Sequence, residues 1–325
     1  MTTRKLGTLV TSPLALGCMS MSGMYGHSDD EESIATIHEA LDAGVTLFDT
    51  GDFYGMGHNE LLLGRALRGR RDRALISVKF GALRAPGGGW LGFDARPAAL
   101  KNFLCYTLNR LGVDHIDIYR PARLDAAVPI EDTVGAIADL IKGGYVRAVG
   151  LSEVGAETIR KAHAVHPIAD LQIEYSLLSR GPEQAIFPLL KTLGIGVTAY
   201  SVLSRGLLAG SQPKGPNDFR AHLPRFSGEN AQRNAVLVAK LGELATASGL
   251  TPAQLATAWV MAQGENIVPL VGARTRVQLR ESLRAAELAV APGVLQELST
   301  IFAPGVAAGE RYQTEQMRHL DSERT

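Results

Sequence analysis

Short apolar runs alternate with longer segments of helical period along most of this chain of 325 residues. This alternation is typical of βα units repeated around a parallel sheet. We predict eight strands: Pro13–Gly17, Leu47–Thr50, Leu75–Phe80, His115–Tyr119, Ala148–Leu151, Leu171–Tyr175, Gly196–Tyr200 and Ile267–Val271. We predict helices between them: Glu31–Ala43, Pro97–Leu111, Ile130–Lys142, Ala156–Val165, Pro182–Leu193 and Val277–Leu288. The sequence therefore predicts an α/β fold with an eight-stranded parallel sheet.

Such a sheet is either doubly wound or closed into a barrel, and hydrophobic period does not separate the two. A dinucleotide-binding doubly wound sheet carries a G-x-G-x-x-G motif after one strand. None of the eight runs is followed by this motif, because Gly55-Met56-Gly57 continues without a third glycine. In a barrel, functional groups come from the C-terminal ends of many strands, as the polar residues do here. We therefore predict a (β/α)₈ TIM barrel, with extra helices at Ala231–Ser248 and Pro252–Gln263 near its C-terminus.

No composition break or low-complexity linker interrupts the alternation, and 46% of the residues are hydrophobic. This supplies enough apolar material for one large core. We therefore predict a single domain over residues 1–325, in which about 310–325 form a polar, flexible tail. Two longer segments, 80–97 and 204–230, follow predicted strand ends, where loops over ligand sites commonly lie.

The charge balance gives no reason to expect a polyanionic partner. Lys and Arg number 33, Asp and Glu also 33, and there are two cysteines. No apolar run is long enough to span a bilayer, and the N-terminus lacks a signal-peptide pattern. His163 and His166 are three residues apart but lack a third metal ligand nearby. We expect a cytoplasmic protein that acts on a small molecule, without nucleic acid, membrane or metal; the sequence leaves its oligomeric state unknown.

Ionisable side chains stand at the ends of the second and third predicted strands, namely Asp49, Tyr54 and Lys79. A lysine in an apolar run is costly to bury without an ionic partner, and Asp49 is a candidate partner. Reduction of a carbonyl group requires an acid that protonates the forming alkoxide. A tyrosine, with a pKa of about 10, can be that acid if a cation stabilises its phenolate. The three residues are therefore candidates for this chemistry.

Four motifs resemble the signatures of the aldo-keto reductase family, and they follow in order between about Gly7 and Leu288. They are D-T-x-x-x-Y-G at 49–55, V-K-F at 78–80, G-L-S-E at 150–153 and G-A-R-T at 272–275. The resemblance implies a barrel whose bottom is crossed by a short N-terminal hairpin, formed here by residues 3–12. It also implies that Tyr54 is the proton donor, that Lys79 lowers the pKa of Tyr54, and that Asp49 orients Lys79.

The resemblance further implies a nicotinamide dinucleotide in a groove on the barrel top. Ser152, Glu153 and Gln172 match positions that hold the nicotinamide amide, and Tyr200 matches the ring that stacks on it; Glu153 is often Asn in relatives. The remaining implied contacts lie on strand ends and loops: Gly17, Cys18, Met19 and Asp49 beside the nicotinamide, and Ser201, Leu203, Gly206 and Leu208 around the pyrophosphate.

Gly272-Ala273-Arg274-Thr275 opens the helix after the last strand. Free backbone N–H groups at a helix start and a guanidinium both favour an anion. The segment resembles the family's adenosine 2′-phosphate site, and no acidic residue beside Arg274 favours a free 2′-hydroxyl. We therefore expect NADP(H) rather than NAD(H). Further along the helix, Gln278 and Glu281 match positions facing the adenosine, and Ser282 stands where the family usually has Asn.

One position departs from the family pattern, because Ala122 stands where a histidine helps to polarise the substrate carbonyl. An alanine donates no hydrogen bond. Arg120, Arg123 or a water could replace the donor, the substrate could bring its own polar group, or the protein could mainly bind nucleotide. An arginine at a barrel mouth supplies fixed donors to an oxyanion, which favours the first account.

The resemblance thus predicts an NADPH-dependent reductase of an aldehyde or ketone, with Tyr25, Phe53 and Trp90 as an apolar wall of the substrate pocket. The alternative is an NADP(H)-binding regulatory or redox-sensor protein with little turnover. The missing histidine motivates this alternative, and Cys18 is its candidate thiol. The natural substrate does not follow from the sequence.

Overall fold

Eight parallel strands form a closed barrel in the computed structural model, which describes residues 2–24, 26–215 and 218–324. Around the barrel the order is β3, β4, β5, β8, β9, β10, β11 and β12. Their bounds are β3 Ala15–Gly17, β4 Leu47–Gly51, β5 Leu75–Phe80, β8 Ile116–Pro121, β9 Val146–Ser152, β10 Ile168–Glu174, β11 Gly196–Tyr200 and β12 Ile267–Gly272. All eight predicted strands are barrel strands, and the predicted (β/α)₈ fold is confirmed.

Helices surround this barrel and bury their apolar faces against it. Their bounds are α1 Asp30–Asp42, α2 His58–Leu67, α3 Pro97–Leu111, α4 Ile130–Lys142, α5 Ala156–Val165, α6 Pro182–Leu193, α7 Gly228–Ala247, α8 Pro252–Ala262, α9 Arg276–Ala285, α10 Pro292–Ile301 and α11 Thr314–Met317. The sequence did not single out α2, in which consecutive apolar residues Leu61, Leu62 and Leu63 blur the helical period. None of the described helices has the length and apolar character needed to cross a membrane.

An N-terminal hairpin closes one end of the barrel. Strands β1 (Arg4–Leu6) and β2 (Leu9–Thr11) are antiparallel. Leu6 and Leu9 are buried in a small cluster with barrel residues such as Ala15, Leu47 and Ile118. The hairpin lies within the segment 3–12 that the sequence assigned to it. Because it seals the bottom, the opposite end, where the strands reach their C-termini, is left for a ligand.

Two segments around the open end are more ordered than the sequence indicates. Residues 82–93 form a hairpin of β6 (Ala82–Arg84) and β7 (Trp90–Phe93). The sequence predicts a flexible tail over about 310–325, but the described part of this segment is packed against the barrel. Arg311 is 4% exposed and Leu320 is 1% exposed. Part of the polar character of the tail is explained by ion pairs and hydrogen bonds with the barrel, such as that of Arg311 with Glu153.

Candidate active site

Asp49, Lys79 and Tyr54 lie together at the open end, as predicted from their strand ends. Asp49 is on β4, Lys79 is near the end of β5, and Tyr54 follows β4. All three side chains are buried. The Lys79 ammonium donates to Asp49 Oδ1 and lies 5.0 Å from the centroid of the Tyr54 ring. The arrangement places a cation over the Tyr54 ring.

The other carboxylate oxygen of Asp49 is also held. Oδ2 accepts from Ser77 Oγ at 2.9 Å and from Gln172 Nε2 at 2.8 Å.

Burial lowers the pKa of Lys79, the Asp49 carboxylate raises it, and the charges of Arg120 and Arg123 lower it further. The net pKa of Lys79 is below the ordinary lysine value, so its proton is held less tightly than that of a surface lysine.

Arg120 is level with Lys79, its register partner on β5, but its side chain has partners inside the barrel. It is fully buried, with Nη1 3.0 Å from Asp170 Oδ2 and Nη2 2.8 Å from Ser77 Oγ. Since successive side chains of a strand alternate between its two faces, Arg120 enters the barrel interior, where these two partners lie. Both partners belong to the protein, and the expectation that Arg120 donates to a substrate oxyanion stays a prediction. Ala122 is also buried and supplies no donor.

Arg123, the other candidate donor, lies near the nicotinamide positions implied by the resemblance. Its Nη1 donates to the Ala122 carbonyl at 2.7 Å and lies 3.4 Å from Ser152 Oγ. Its Nη2 lies 3.4 Å from the Tyr312 hydroxyl. No carboxylate lies within ion-pairing distance of Arg123 in the described ranges. The guanidinium therefore keeps its charge at the site without a carboxylate partner.

Glu153, assigned to the nicotinamide amide, already has partners for both oxygens. Oε1 accepts from the Tyr200 hydroxyl at 2.7 Å and from the Glu174 N–H at 2.9 Å. Arg311 pairs with both oxygens, and Ser322 Oγ donates to Oε2 at 2.6 Å. Glu153 therefore anchors the C-terminal segment in this structure. Its role toward a nicotinamide stays a prediction.

The loop after β11 has an unusual backbone. Ser201, Ser204 and Arg205 adopt φ of 54°, 48° and 57°, and Gly206 has φ of 90°. Three non-glycine residues in the left-handed region within five positions are uncommon and mark a backbone held by its surroundings. Leu208 is fully buried beneath this loop and Leu203 is partly buried. The turn thus resembles a rigid cradle at the predicted pyrophosphate position.

The predicted phosphate site lies at the start of α9. Thr275 caps the helix by accepting from the Gln278 N–H at 3.3 Å, and Gln278 Oε1 accepts from the Arg274 N–H at 3.1 Å. Arg274 Nη1 lies 3.4 Å from the His27 carbonyl. Glu281 accepts from Thr251 Oγ1 at 2.9 Å, and Ser282 Oγ donates within the helix to the Gln278 carbonyl. Gln278 and Arg274 thus lie side by side and contact each other. Glu281 and Ser282 form hydrogen bonds with other protein groups.

The first barrel strand ends close to the last. Gly17 is in register with both Asp49 and Gly272. Cys18 follows and is fully buried, and Met19 begins a short 3₁₀ turn. Burial and the Asp49 carboxylate raise the pKa of the Cys18 thiol, so the reactive thiolate is disfavoured.

Aromatic side chains border the acid site. Phe53 contacts Tyr54 edge to face, with centroids 4.8 Å apart, and Trp90 lies 6.0 Å from Phe53. Arg84 stacks on Trp90, whose side chain is half exposed. Phe53 and Trp90 are thus brought together as the sequence predicts for an apolar wall. Tyr25 lies outside the described residues.

Sequence reasoning missed several residues at this site. Ser77 contacts Asp49. In the C-terminal segment, Arg311 contacts Glu153 and Tyr312 contacts Tyr200. Asp52 is half-buried, and burial with the nearby Glu60 carboxylate raises its pKa to about 7. Arg311 and Tyr312 follow the last predicted element by more than twenty positions, so no local pattern places them at the site. Ser77 could have been found, since it precedes Lys79 by two and faces the same side of the strand.

Comparison with known proteins agrees with this geometry. The model of the aldo/keto reductase family matches residues 13–301. The chain is 39% identical over 316 residues to a Glycine max protein named probable aldo-keto reductase 1, covering 95% of this chain and 91% of that protein. The structure of a glycerol dehydrogenase from Gluconobacter oxydans is similar with a TM-score of 0.84 at 27% identity, covering 98% of this chain and 96% of that one.

An aldo-keto reductase from Klebsiella pneumoniae, whose structure is a complex with NADPH, shares the fold. Its TM-score is 0.75 at 24% identity, and the match covers 97% of this chain and 100% of that one. The family model spans most of the barrel, and the plant relative is similar over nearly its whole length. The chain is therefore an oxidoreductase that belongs to the aldo/keto reductase family.

Proposed function

We propose that the protein reduces an aldehyde or ketone to an alcohol with NADPH as the hydride donor. The observation that carries this proposal is the buried set of Asp49, Lys79 and Tyr54 at the open end of the barrel. A salt bridge with a purely structural role has no need of a phenol 5.0 Å from its ammonium. A phenol that must give up a proton does need that cation.

The residues divide the reaction as follows. When bound, reduced nicotinamide supplies the hydride that forms a C–H bond at the carbonyl carbon. The electron pair of the C=O π bond moves to the oxygen, and Tyr54 transfers its phenolic proton there. Lys79 stabilises the resulting phenolate, and Asp49 fixes Lys79. Exchange with solvent then restores the proton on Tyr54.

Arg123 is the proposed donor to the developing oxyanion, in place of the histidine that Ala122 replaces. Its guanidinium has no carboxylate partner within the described part of the chain, and its charge lowers the pKa of Lys79. A partly buried cation that is not directly paired with a carboxylate stabilises negative charge that appears nearby in the transition state. The Arg123 guanidinium would therefore stabilise the alkoxide that forms when a carbonyl group is reduced beside it.

The residues present fit a dinucleotide. Ser20 Oγ, which would lie 4.0 Å from a Cβ at Gly272, is a buried hydroxyl without a hydrogen-bond partner in the described structure. We assign the pyrophosphate to the turn from Ser201 to Gly206 and the 2′-phosphate to Arg274 at the start of α9. Ser152 and Gln172 would hold the nicotinamide amide, and Tyr200 its ring. The NADPH complex of the Klebsiella pneumoniae relative is consistent with this choice of cofactor.

The test is steady-state oxidation of NADPH, with NADH beside it, against aromatic and aliphatic aldehydes and ketones, with the alcohol product identified. The proposal expects turnover with at least one carbonyl class and a preference for NADPH. Tight NADPH binding without turnover on any carbonyl would contradict the reductase and favour the nucleotide-binding regulatory protein. A redox sensor based on Cys18 is disfavoured by the burial and raised pKa of that thiol.

A further inference from the structure

Two ion pairs lie one below the other inside the barrel. The upper pair is Lys79 with Asp49, and the lower pair is Arg120 with Asp170, whose Nη1–Oδ2 distance is 3.0 Å. The side chains of the lower pair have no solvent exposure. Lys79 and Arg120 are direct register partners on β5 and β8. Two cations are thus neighbours in a water-poor interior, where each acts strongly on the other.

Ser77 connects the two pairs. Its hydroxyl accepts from Arg120 Nη2 at 2.8 Å and donates to Asp49 Oδ2 at 2.9 Å. Because the guanidinium can only donate, the hydroxyl oxygen must accept from it, and the hydroxyl proton is left for the carboxylate. Arg120 therefore determines the direction in which Ser77 donates.

We propose that Arg120, acting through Ser77, is a positioning residue that fixes the Asp49 carboxylate and with it the Lys79 ammonium beside Tyr54. This inference rests on the proposed function of Tyr54 as the acid. In this proposal the ion pair of Arg120 and Asp170 supports proton transfer from Tyr54. Without the proposal, that pair would contribute to stability alone.

The space around the guanidinium supports this role. A Cβ at Gly150 would lie 2.8 Å from Asp170 Oδ1 and 3.2 Å from Arg120 Cζ, so only glycine leaves room for the lower pair there. Arg120 Nε and Asp170 Oδ1 have no partner among the described residues, which is a cost in a buried site. An incompletely satisfied ion pair is weak evidence for stability, which is consistent with another role for Arg120.

The groups around Lys79 determine its pKa. They are Asp49, Cys18 and Tyr54 from the first two barrel strands and their loops, Arg120 and Arg123 from β8 and the residues after it, and Asp170 from β10. The Arg120 charge lowers the pKa of Lys79, in the same direction as burial. Without the Ser77 hydroxyl, Asp49 Oδ2 loses one donor, and its less shared negative charge holds the Lys79 proton to higher pH.

The experiment compares Ser77→Ala with Thr198→Val. Thr198 Oγ1 donates to Asp170, so both variants remove one buried hydroxyl from the same network, but only Ser77 reaches Asp49. We expect Ser77→Ala to move the alkaline limb of the kcat profile upward by about 0.5 pH unit or more, a threefold change in proton affinity. We expect Ser77→Thr, which keeps the hydroxyl, to have its alkaline limb at the wild-type pH. We expect the same of Thr198→Val.

A second measurement is independent of turnover. Tyrosinate formation is followed by ultraviolet absorbance as pH rises. The titration curve of the Tyr54→Phe variant is subtracted from that of the full chain, and the difference reports the pKa of Tyr54 directly. We expect this pKa to shift in the Ser77→Ala background and to be unchanged with Thr198→Val. Equal shifts in both backgrounds, or none, would overturn the role of Arg120 and Ser77 even if the protein reduces carbonyls. A shift without turnover on any carbonyl would support the positioning role while contradicting the proposed function.

Discussion

Glu153 and Arg311 form a bidentate ion pair that joins the C-terminal segment to the residue after β9. The Oε1–Nη1 and Oε2–Nη2 distances are 2.9 Å and 2.6 Å, and both side chains are buried. Glu153 has φ of 53°, so its position is held by these contacts against a backbone preference. Burial alone would raise the pKa of Glu153, but the Arg311 charge and its hydrogen bonds hold that pKa well below the ordinary value.

Removing Arg311 leaves a buried carboxylate without its principal partner. We expect Arg311→Met to lower the free energy of unfolding by about 3–5 kcal/mol and to make the segment after residue 311 sensitive to protease. Urea denaturation and limited proteolysis measure these effects. The matched control is Arg276→Met, which breaks an exposed ion pair with Glu32 and should cost less than about 1 kcal/mol. Equal losses in both variants would show that the buried pair does not hold the segment.

Asp52 gives the stability of the protein a pH dependence near neutrality. Its folded pKa is about 7, above the unfolded value of about 3.9. The folded state therefore binds more protons between these values, and this contribution to stability falls as pH rises from about 4 to about 7. Asp52→Asn removes that contribution, which is at most about 4 kcal/mol.

Urea denaturation at several pH values, with the wild type and Asp52→Asn side by side, measures this effect. The difference in stability between the two should change across the window in favour of the variant at higher pH. A difference that is constant between pH 4 and pH 7 would contradict the raised pKa.

The barrel could be predicted from the sequence because its strands are short apolar runs, most of which are followed by a segment of helical period. The proximity of Asp49 and Lys79 could be predicted because both stand at strand ends, which parallel topology brings to one rim; their part in an acid site stays a prediction. The tail could not be placed, because Arg311 and Tyr312 contact residues more than one hundred positions earlier in the chain. The ion pair of Arg120 could not be predicted, since the sequence does not show that Asp170 lies opposite it inside the barrel.

Arg274 should distinguish the two nicotinamide dinucleotides. We expect Arg274→Met to raise the dissociation constant of NADPH about tenfold or more, equivalent to at least 1.4 kcal/mol, because a charge-assisted contact to the 2′-phosphate is lost. The affinity for NADH, which lacks that phosphate, should change little. The control is Arg280→Met, four residues into α9, where the guanidinium pairs with Glu39. Quenching of protein fluorescence gives both constants, and equal weakening of NADPH and NADH would argue against the assignment.

Arg123 should act on the chemical step. We expect Arg123→Met to lower kcat by about 10²- to 10³-fold, as loss of an oxyanion donor does elsewhere, with NADPH affinity within a few-fold of the wild type. Arg84→Met is the control, since Arg84 stacks on Trp90 at the same rim without contacting Ser152. Stopped-flow measurement of the first turnover separates the chemical step from product release. An unchanged rate of hydride transfer in Arg123→Met would exclude this residue as the replacement for the histidine.

The most direct test of the account is single-turnover reduction of a carbonyl by NADPH-loaded protein, comparing the wild type with Tyr54→Phe. The variant keeps the ring beside Phe53 and removes only the hydroxyl that would supply the proton. We predict that hydride transfer slows by at least about 10²-fold, while the dissociation constant of NADPH stays nearly the same. Transfer at the wild-type rate in Tyr54→Phe would contradict the claim that Tyr54, supported by Lys79 and Asp49, is the acid of this enzyme.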